Sequence, residues 1–566
     1  MGSLISVRKG ATRAGRSSPP ARRKRWRHTP HPTRGAIYAR CSSSTPPRSS
    51  PPPDPFRMTI PLPQRLVAAA VAFGSAWWIP GLTATPAAAV EQLDLRLPVM
   101  EMTIQLEIGE SRTAADLIRA NADLQELDRA GDGAVQRLLE QLLTAPLPEQ
   151  ITGVVQQSLG QPLFEQALLA ASELVEVEGL PPEGRGPVIA AALDAAYRAG
   201  EPHLLGLLRQ VPGERITLNL QALAAYAQRL QNNQDEARRL LRQATAATPA
   251  SASISSLDPS AWRRQELTLP VSHRSEPLTL ITYQPQRSAN GRLVVISHGL
   301  WDDPASFEGW ARLLVMNGYT VVLPRHPGSD SAQQKAMLMG DQPPPGPEEM
   351  RWRPLDVSAV LDGVAAGRLL PGSGVTPSQV AVVGHSWGAT AALQLGGLNT
   401  TSSTLKARCN DPADPERNLS WVLQCSWLEG SDQGSLADPR VRAVVAVSPP
   451  LKLLFDQSRV GEAQARTLIV SGTSDWVVPP DPEAVSPLRQ AGIGPLGHRL
   501  VLVEGGDHFN LRAPAAAASP AILGPLILAW VNQQLAVPAA ITFQGGGWGN
   551  AEHALVDVTP SLSTPR

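Results

Sequence analysis

The sequence predicts an α/β fold, a mostly parallel sheet with helices on both faces, preceded by a smaller, mainly helical domain. Three observations carry that expectation. From Trp262 onward, short β-branched and aliphatic runs alternate with amphipathic stretches, the order that buries a parallel sheet on both sides. The segment Val380-Ala381-Val382-Val383-Gly384-His385-Ser386-Trp387-Gly388-Ala389-Thr390 reads as a strand, a sharp elbow and a helix, with one serine at the apex. Between Thr113 and Ala247 the apolar residues fall instead at helical spacing, as at Val135, Leu138, Leu139, Leu142 and Leu143.

The chain has 566 residues and 42% hydrophobic content, enough for at least two packed cores. Its formal net charge of zero hides an asymmetry. Residues 1–57 hold 13 of the 50 Lys/Arg but only Asp54 of the 50 Asp/Glu, leaving 37 basic and 49 acidic residues in the remainder. That basic, Ser- and Pro-rich leader has no hydrophobic period and cannot bury enough surface to fold, so it is read as lying outside the working protein. The mildly acidic remainder argues against a nucleic-acid partner. Residues 58–89 have the layout of a signal peptide: Met58, Arg65, an apolar run from Leu66 to Ile79, Pro80-Gly81, and Ala87-Ala88-Ala89. Cleavage after Ala89 is expected, giving an exported periplasmic or extracellular protein. The apolar run is shorter than the roughly 20 residues a spanning helix needs, so no stable membrane span is expected.

Residues 90–247 make up the mainly helical domain. It opens with a half-buried strand in which Met100, Met102, Ile104, Leu106 and Ile108 alternate with polar residues, and it is punctuated by Pro146, Pro162, Pro181-Pro182 and Pro212-Gly213. It carries no clustered His, Cys or paired carboxylates, so no chemistry is assigned to it. Residues 248–260, rich in Ser, Ala and Pro, read as a linker. The α/β domain spans 261–537. Its strands are expected at Leu267–Val271, Leu278–Tyr283, Arg292–Ser297, Thr320–Pro324, Val380–Gly384, Val441–Val447, Thr467–Val470 and Leu500–Val503, with helices at Asp356–Leu370 and Ala517–Leu535. An insertion at 397–440 holds Cys409, Cys425, Trp421 and Trp427 and is expected to form a lid. With Cys41 in the leader, Cys409 and Cys425 are left either as a disulfide closing a short loop or as two buried thiols. Residues 538–566 read as a C-terminal tail.

A serine hydroxyl is a weak nucleophile until a base takes its proton, and that base needs an acid to fix its tautomer. Ser386 is the candidate nucleophile. His508, in Glu504-Gly505-Gly506-Asp507-His508-Phe509 after the last strand, is the candidate base, chosen over His298, His326, His385 and His553. Asp475, in Gly472-Thr473-Ser474-Asp475-Trp476 after the preceding strand, is the candidate acid, with Asp456 as its rival. All three follow strand C-termini, where open α/β sheets gather their sites. An oxyanion hole needs backbone N–H groups, expected from Trp387 and Leu300, with Trp301 second choice for the latter. Trp301 and Trp476, with Trp387, are candidates to line an apolar substrate wall. No ligand cluster accompanies these residues, so no metal or organic cofactor is implied.

The chain order Ser, Asp, His is that of α/β-hydrolases. Gly384-His385-Ser386-Trp387-Gly388, Ser297-His298-Gly299-Leu300, Leu323-Pro324-Arg325-His326-Pro327-Gly328-Ser329 and Gly472-Thr473-Ser474-Asp475 together resemble secreted bacterial α/β-hydrolases of the dienelactone hydrolase group, related to platelet-activating-factor acetylhydrolases. The resemblance runs from about residue 93 to 535 and includes a helical N-terminal domain of unknown function. True dienelactone hydrolases use a cysteine where this chain has Ser386, and the acetylhydrolases place their acid differently from Asp475. The resulting expectation is a serine hydrolase cleaving small carboxylic esters through an acyl-enzyme. The same residues would also serve a thioesterase or amidase, or a non-catalytic binding protein on this scaffold.

Overall fold

The computed structural model describes residues 90–98, 103–181, 185–244, 259–515, 521–539, 541–543, 546–549 and 552–562. The leader 1–57, the segment 58–89 with its expected cleavage point after Ala89, and nearly all of the linker 248–260 lie outside the described residues.

Alternation in the N-terminal part begins at once. Leu93 on β1 (Gln92–Arg96) and Leu106 on β2 (Thr103–Glu107) pair across an antiparallel ladder and point into a core with Leu117, Leu193 and Leu205. With β3 (Val175–Val177) and β4 (Arg215–Asn219) these strands make a four-stranded sheet in the order β2-β1-β4-β3, β1 running parallel to β4. The domain expected to be mainly helical therefore has a sheet among its helices. β3 has three residues, none fully buried, and only Ile216 of β4 is buried, so neither offers a readable alternation.

The long helix Leu220–Gln243 then crosses to the second part: its Ala237 and Leu240 are buried in the larger core, and its Glu236 pairs with Arg489 at 3.1 Å. All described residues fall within one compact unit.

The larger sheet has ten strands: β5 (Trp262–Leu269), β6 (Leu278–Pro285), β7 (Leu293–Ser297), β8 (Thr320–Pro324), β9 (Val380–His385), β10 (Val441–Val447), β11 (Arg466–Gly472), β12 (Arg499–Val503), β13 (Gly546–Gly549) and β14 (Ala554–Asp557), in the order β13-β14-β12-β11-β10-β9-β7-β8-β6-β5. The six strands from β8 to β12 in that order are parallel, and antiparallel strands close both edges. Parallel strands covered on both faces are apolar throughout, and successive residues divide between the two layers. Leu293, Val295, Val380 and Val382 pack with the helices Glu349–Ala365 and Trp387–Leu395. Val294, Ile296, Ala381 and Val383 pack with Glu308–Met316 and Gly524–Gln534.

Three boundaries differ from expectation. The tail at 538–566 contributes β13 and β14, whose Trp548, Leu555 and Val556 are buried; a glycine-rich strand gives no hydrophobic signal. The helix expected from Asp356 begins at Glu349 and carries Pro354 inside it, a residue that reads in sequence as a break. The helix expected at Ala517–Leu535 runs over Gly524–Gln534, residues 517–520 lying outside the described residues, and a short helix Thr559–Leu562 follows in the tail.

The insertion 397–440 forms two short helices, Ser403–Arg408 and Ser420–Cys425, joined by a Cys409–Cys425 disulfide with Cα atoms 5.5 Å apart. This decides between the two states left open for the cysteines. Glu483, fully buried, fastens the insertion to the body: it accepts hydrogen bonds from Asn418, Ser420 and Gln424 on one side and from the Leu451 and Lys452 N–H groups on the other. The helix Ser420–Cys425 also contacts the helix Pro162–Ser172 of the N-terminal part. Since the bond closes a loop of separation 16, the double variant Cys409→Ser/Cys425→Ser is expected to lose about 3 kcal/mol of stability, read as a lower urea midpoint under non-reducing conditions.

Candidate active site

The elbow concentrates its strain on one residue. Ser386 sits at φ +53°, ψ −120°, between the end of β9 and the first turn of Trp387–Leu395, and its N–H donates to Val447 O at 2.9 Å. The flanking glycines serve clearance. A Cβ on Gly384 would overlap the Gly388 carbonyl, and one on Gly388 would overlap the Ser297 carbonyl, so strand, helix and the loop after β7 meet backbone to backbone.

That loop passes directly over the serine. A Cβ on Gly299 would stand 3.3 Å from Ser386 Cβ and 3.1 Å from His385 Nδ1. The N–H groups of Leu300 and Trp387 have no hydrogen-bond partner among the described residues, whereas the Trp301 N–H, the second choice, is committed to Ser329 O at 2.8 Å.

The acid turn and the histidine loop are stitched together. Ser474 N–H donates to Gly506 O at 2.8 Å, Thr473 N–H to Val503 O at 3.0 Å, and Gly505 N–H to Thr473 Oγ1 at 3.0 Å. Asp475, with no exposed surface, places Oδ2 3.0 Å from His508 Nδ1, while its Oδ1 accepts the N–H groups of Val477 and Val478 at 3.0 and 2.8 Å. A carboxylate on Nδ1 fixes the proton there and leaves Nε2 as the acceptor.

His508 is steadied from the other side by His385, whose Nε2–H donates to His508 O at 2.9 Å and whose ring centroid lies 4.7 Å from that of His508. Since His385 is the residue before Ser386, this contact brings His508 to the serine. Ser386 and His508 are 3% and 5% exposed. No hydrogen bond joins Ser386 Oγ to His508 Nε2 among those made by the described residues, a link that commonly tightens only once substrate is bound.

The other candidates divide. Asp456 is exposed and caps the short helix Gln457–Glu462, accepting from the Ser458 N–H at 2.9 Å, so it does not reach His508. Trp301 and Trp476 are half-buried; the Trp301 indole donates to Gln333, and Trp476 lies 6.1 Å from Phe509, which is 46% exposed beside His508. The Trp387 indole turns inward, fully buried 4.4 Å from Trp427 of the insertion, and so packs the interior instead of lining a wall.

Beneath the Gly299 loop lies a buried ionic network that sequence reasoning did not find. Asp356 accepts from His326 Nδ1–H at 2.7 Å, contacts His273 Nε2 at 2.7 Å and binds Arg274, which also grips Glu349. Burial would raise Asp356, but His273, His326 and Arg274 prevail and hold it below the usual carboxylate range. Burial pushes His326 down to about 4 and Arg353 down to about 10, the latter still a cation at neutral pH. Burial also drives His298 and His385 well below their ordinary range. Among the described residues, no group of three His, Cys, Asp or Glu side chains is arranged to hold a metal ion.

Residues 293–519 match the family model described as the Alpha/beta hydrolase family. The larger domain is an α/β-hydrolase domain, and the match supports a hydrolase. A search of curated proteins returned no match.

His298, His326 and His385 are neutral in the folded chain but take up protons near pH 6.5 once unfolded. The unfolded state thus binds more protons below that pH. The contribution of these histidines to stability is expected to be full above about pH 6.5 and to be lost progressively as the pH falls below it, read from urea midpoints measured at decreasing pH.

Proposed function

We propose that the protein is a serine hydrolase that cleaves carboxylic esters through an acyl-enzyme. The observation that carries the reading is the Asp475–His508 pair held beside a strained, apical Ser386, under two N–H groups with no partner of their own. Ser386 Oγ attacks the ester carbonyl as His508 Nε2 takes its proton, and the Leu300 and Trp387 N–H groups stabilise the tetrahedral oxyanion. The imidazolium, steadied by Asp475, then returns the proton to the leaving alcohol. Water enters and is activated by the same base, releasing the acid and restoring the serine.

The half-buried Trp476 and exposed Phe509 beside His508 favour a moderately apolar acyl or alcohol group. The disulfide favours an oxidising compartment and so supports export. The insertion, with Trp427 against Trp387, acts in this reading as a cover over the site.

A fluorophosphonate probe is expected to modify Ser386 in the wild type and not in Ser386→Ala. Asp475→Asn is expected to lower kcat by about 10⁴ by admitting the wrong histidine tautomer. Matched ester, thioester and anilide substrates then rank the bond cleaved; no turnover of esters together with no labelling would sink the proposal.

A further inference from the structure

Arg353, on the helix Glu349–Ala365, has no hydrogen bond to the Asp475–His508 pair among the described residues, yet its buried guanidinium reaches the carbonyl of the peptide that carries the Leu300 N–H and the ring of Trp387. Nη1 donates to His298 O at 2.6 Å and Nη2 to Gly299 O at 3.2 Å, while Nε and Nη2 donate to Ser329 Oγ at 3.1 and 2.9 Å. Its Cζ lies 5.5 Å from the centre of the Trp387 ring. Glu349 balances the charge, with Oε2 3.5 Å from Arg353 Nε and 2.5 Å from the Ser329 hydroxyl.

The Gly299 carbonyl and the Leu300 N–H belong to the same peptide plane. Across a trans peptide they point in opposite directions, so whatever holds the carbonyl aims the N–H. Three donors hold it. Two are side chains, Arg353 and His298 Nδ1, the latter 2.8 Å from Gly299 O, and the third is the Asp302 backbone N–H at 3.4 Å. The His298 tautomer is fixed, because its Nε2 accepts the His326 N–H at 3.1 Å and so keeps its proton on Nδ1. With the carbonyl drawn toward these three donors, the Leu300 N–H faces the opposite side of a loop that lies against Ser386.

We propose that Arg353 is a positioning residue of the oxyanion hole: through the Gly299 carbonyl it sets the direction of the Leu300 N–H, and through the Trp387 ring it seats the residue that bears the second donor. The inference rests on the assignment of Ser386 as nucleophile and of those two N–H groups as its oxyanion donors. The role suits arginine. Its planar fork grasps successive carbonyls and a hydroxyl at once, which a single ammonium cannot do.

The test measures ester kcat and KM, the rate of fluorophosphonate labelling, and the affinity of a trifluoromethyl ketone, which forms a tetrahedral oxyanion on the serine. Wild type, Arg353→Met and Arg353→Lys are compared at a temperature where circular dichroism shows each folded. Both variants are expected to lose roughly 10²-fold or more in kcat, with KM changed less than about threefold, and to lose trifluoromethyl ketone affinity in parallel. Arg353→Lys keeps the cation and the stem, and it carries the comparison if Arg353→Met does not fold. Folded variants with wild-type kcat, or with reduced kcat but undiminished ketone affinity, overturn the inference alone. A wild type that neither labels nor turns over overturns the reading of Ser386 on which it depends.

Discussion

The structure around the site is organised by one steric constraint, the backbone contact of three segments at the elbow. β9, the helix that follows it and the loop after β7 approach so closely that Gly384 and Gly388 admit no Cβ, and Gly299 has room only for a tight one. Ser386 takes up the geometry this requires with a positive φ that costs about 1–3 kcal/mol in a residue other than glycine. A conformation of that cost persists only where its surroundings over-determine it. Here they do: the Ser386 N–H is tied to Val447 on the neighbouring strand, and the flanking strand residues are wholly buried.

The polar layer next to that contact is costly in a different way. Arg274, Arg353, Glu349, Asp356 and His326 are all removed from water, and desolvation of so many ionisable groups offsets much of their mutual attraction. Apolar side chains of similar volume would stabilise the fold at least as well. What they would not supply is direction. Carbonyl groups of the Gly299 loop cannot be oriented by aliphatic neighbours, whereas a forked cation and a histidine of fixed tautomer determine which way each peptide plane faces. The network therefore contributes geometry at the loop more than it contributes stability.

Much of this was legible in the sequence because the central strands are apolar on both faces and end in glycine-bearing loops. Ser386, Asp475 and His508 each follow such a strand end, and in-register parallel pairing brings strand ends to one edge of a sheet. Arg353 was not legible. It lies on a helix, and its contacts join residues 298, 299, 329 and 387, a juxtaposition that no local pattern encodes. Pro354 beside it also disguised the start of that helix. His385 sat within a recognised motif, but its hold on the His508 carbonyl depends on the end of β9 meeting the histidine loop across 123 residues of chain. One strand of the N-terminal sheet was legible as an alternating run, but β3 and β4 bury too few side chains to show a period, and the four-residue strands of the C-terminal hairpin are too short to establish one.

The surroundings of Ser386 are unequal in rigidity. On the side of the insertion, Trp387 and Trp427 are buried against each other with their planes tilted by 43°, and a disulfide closes a loop of the insertion. There Glu483 accepts five hydrogen bonds that couple the insertion to the body, and the helix Pro162–Ser172 of the N-terminal part contacts its helix Ser420–Cys425. On the side of the histidine loop, the corresponding aromatic pair is Trp476 and Phe509, half-buried and exposed, and Phe509 is steadied by Arg512 stacked over its ring at 5.2 Å. Moving the insertion would break a covalent link or strip a buried carboxylate of its donors, whereas displacing the Phe509 ring disturbs a side chain that already faces water. The nucleophile candidate thus neighbours an insertion held by covalent and buried polar links and a histidine loop whose backbone is bonded to the acid turn while its aromatic rim at Phe509 is exposed.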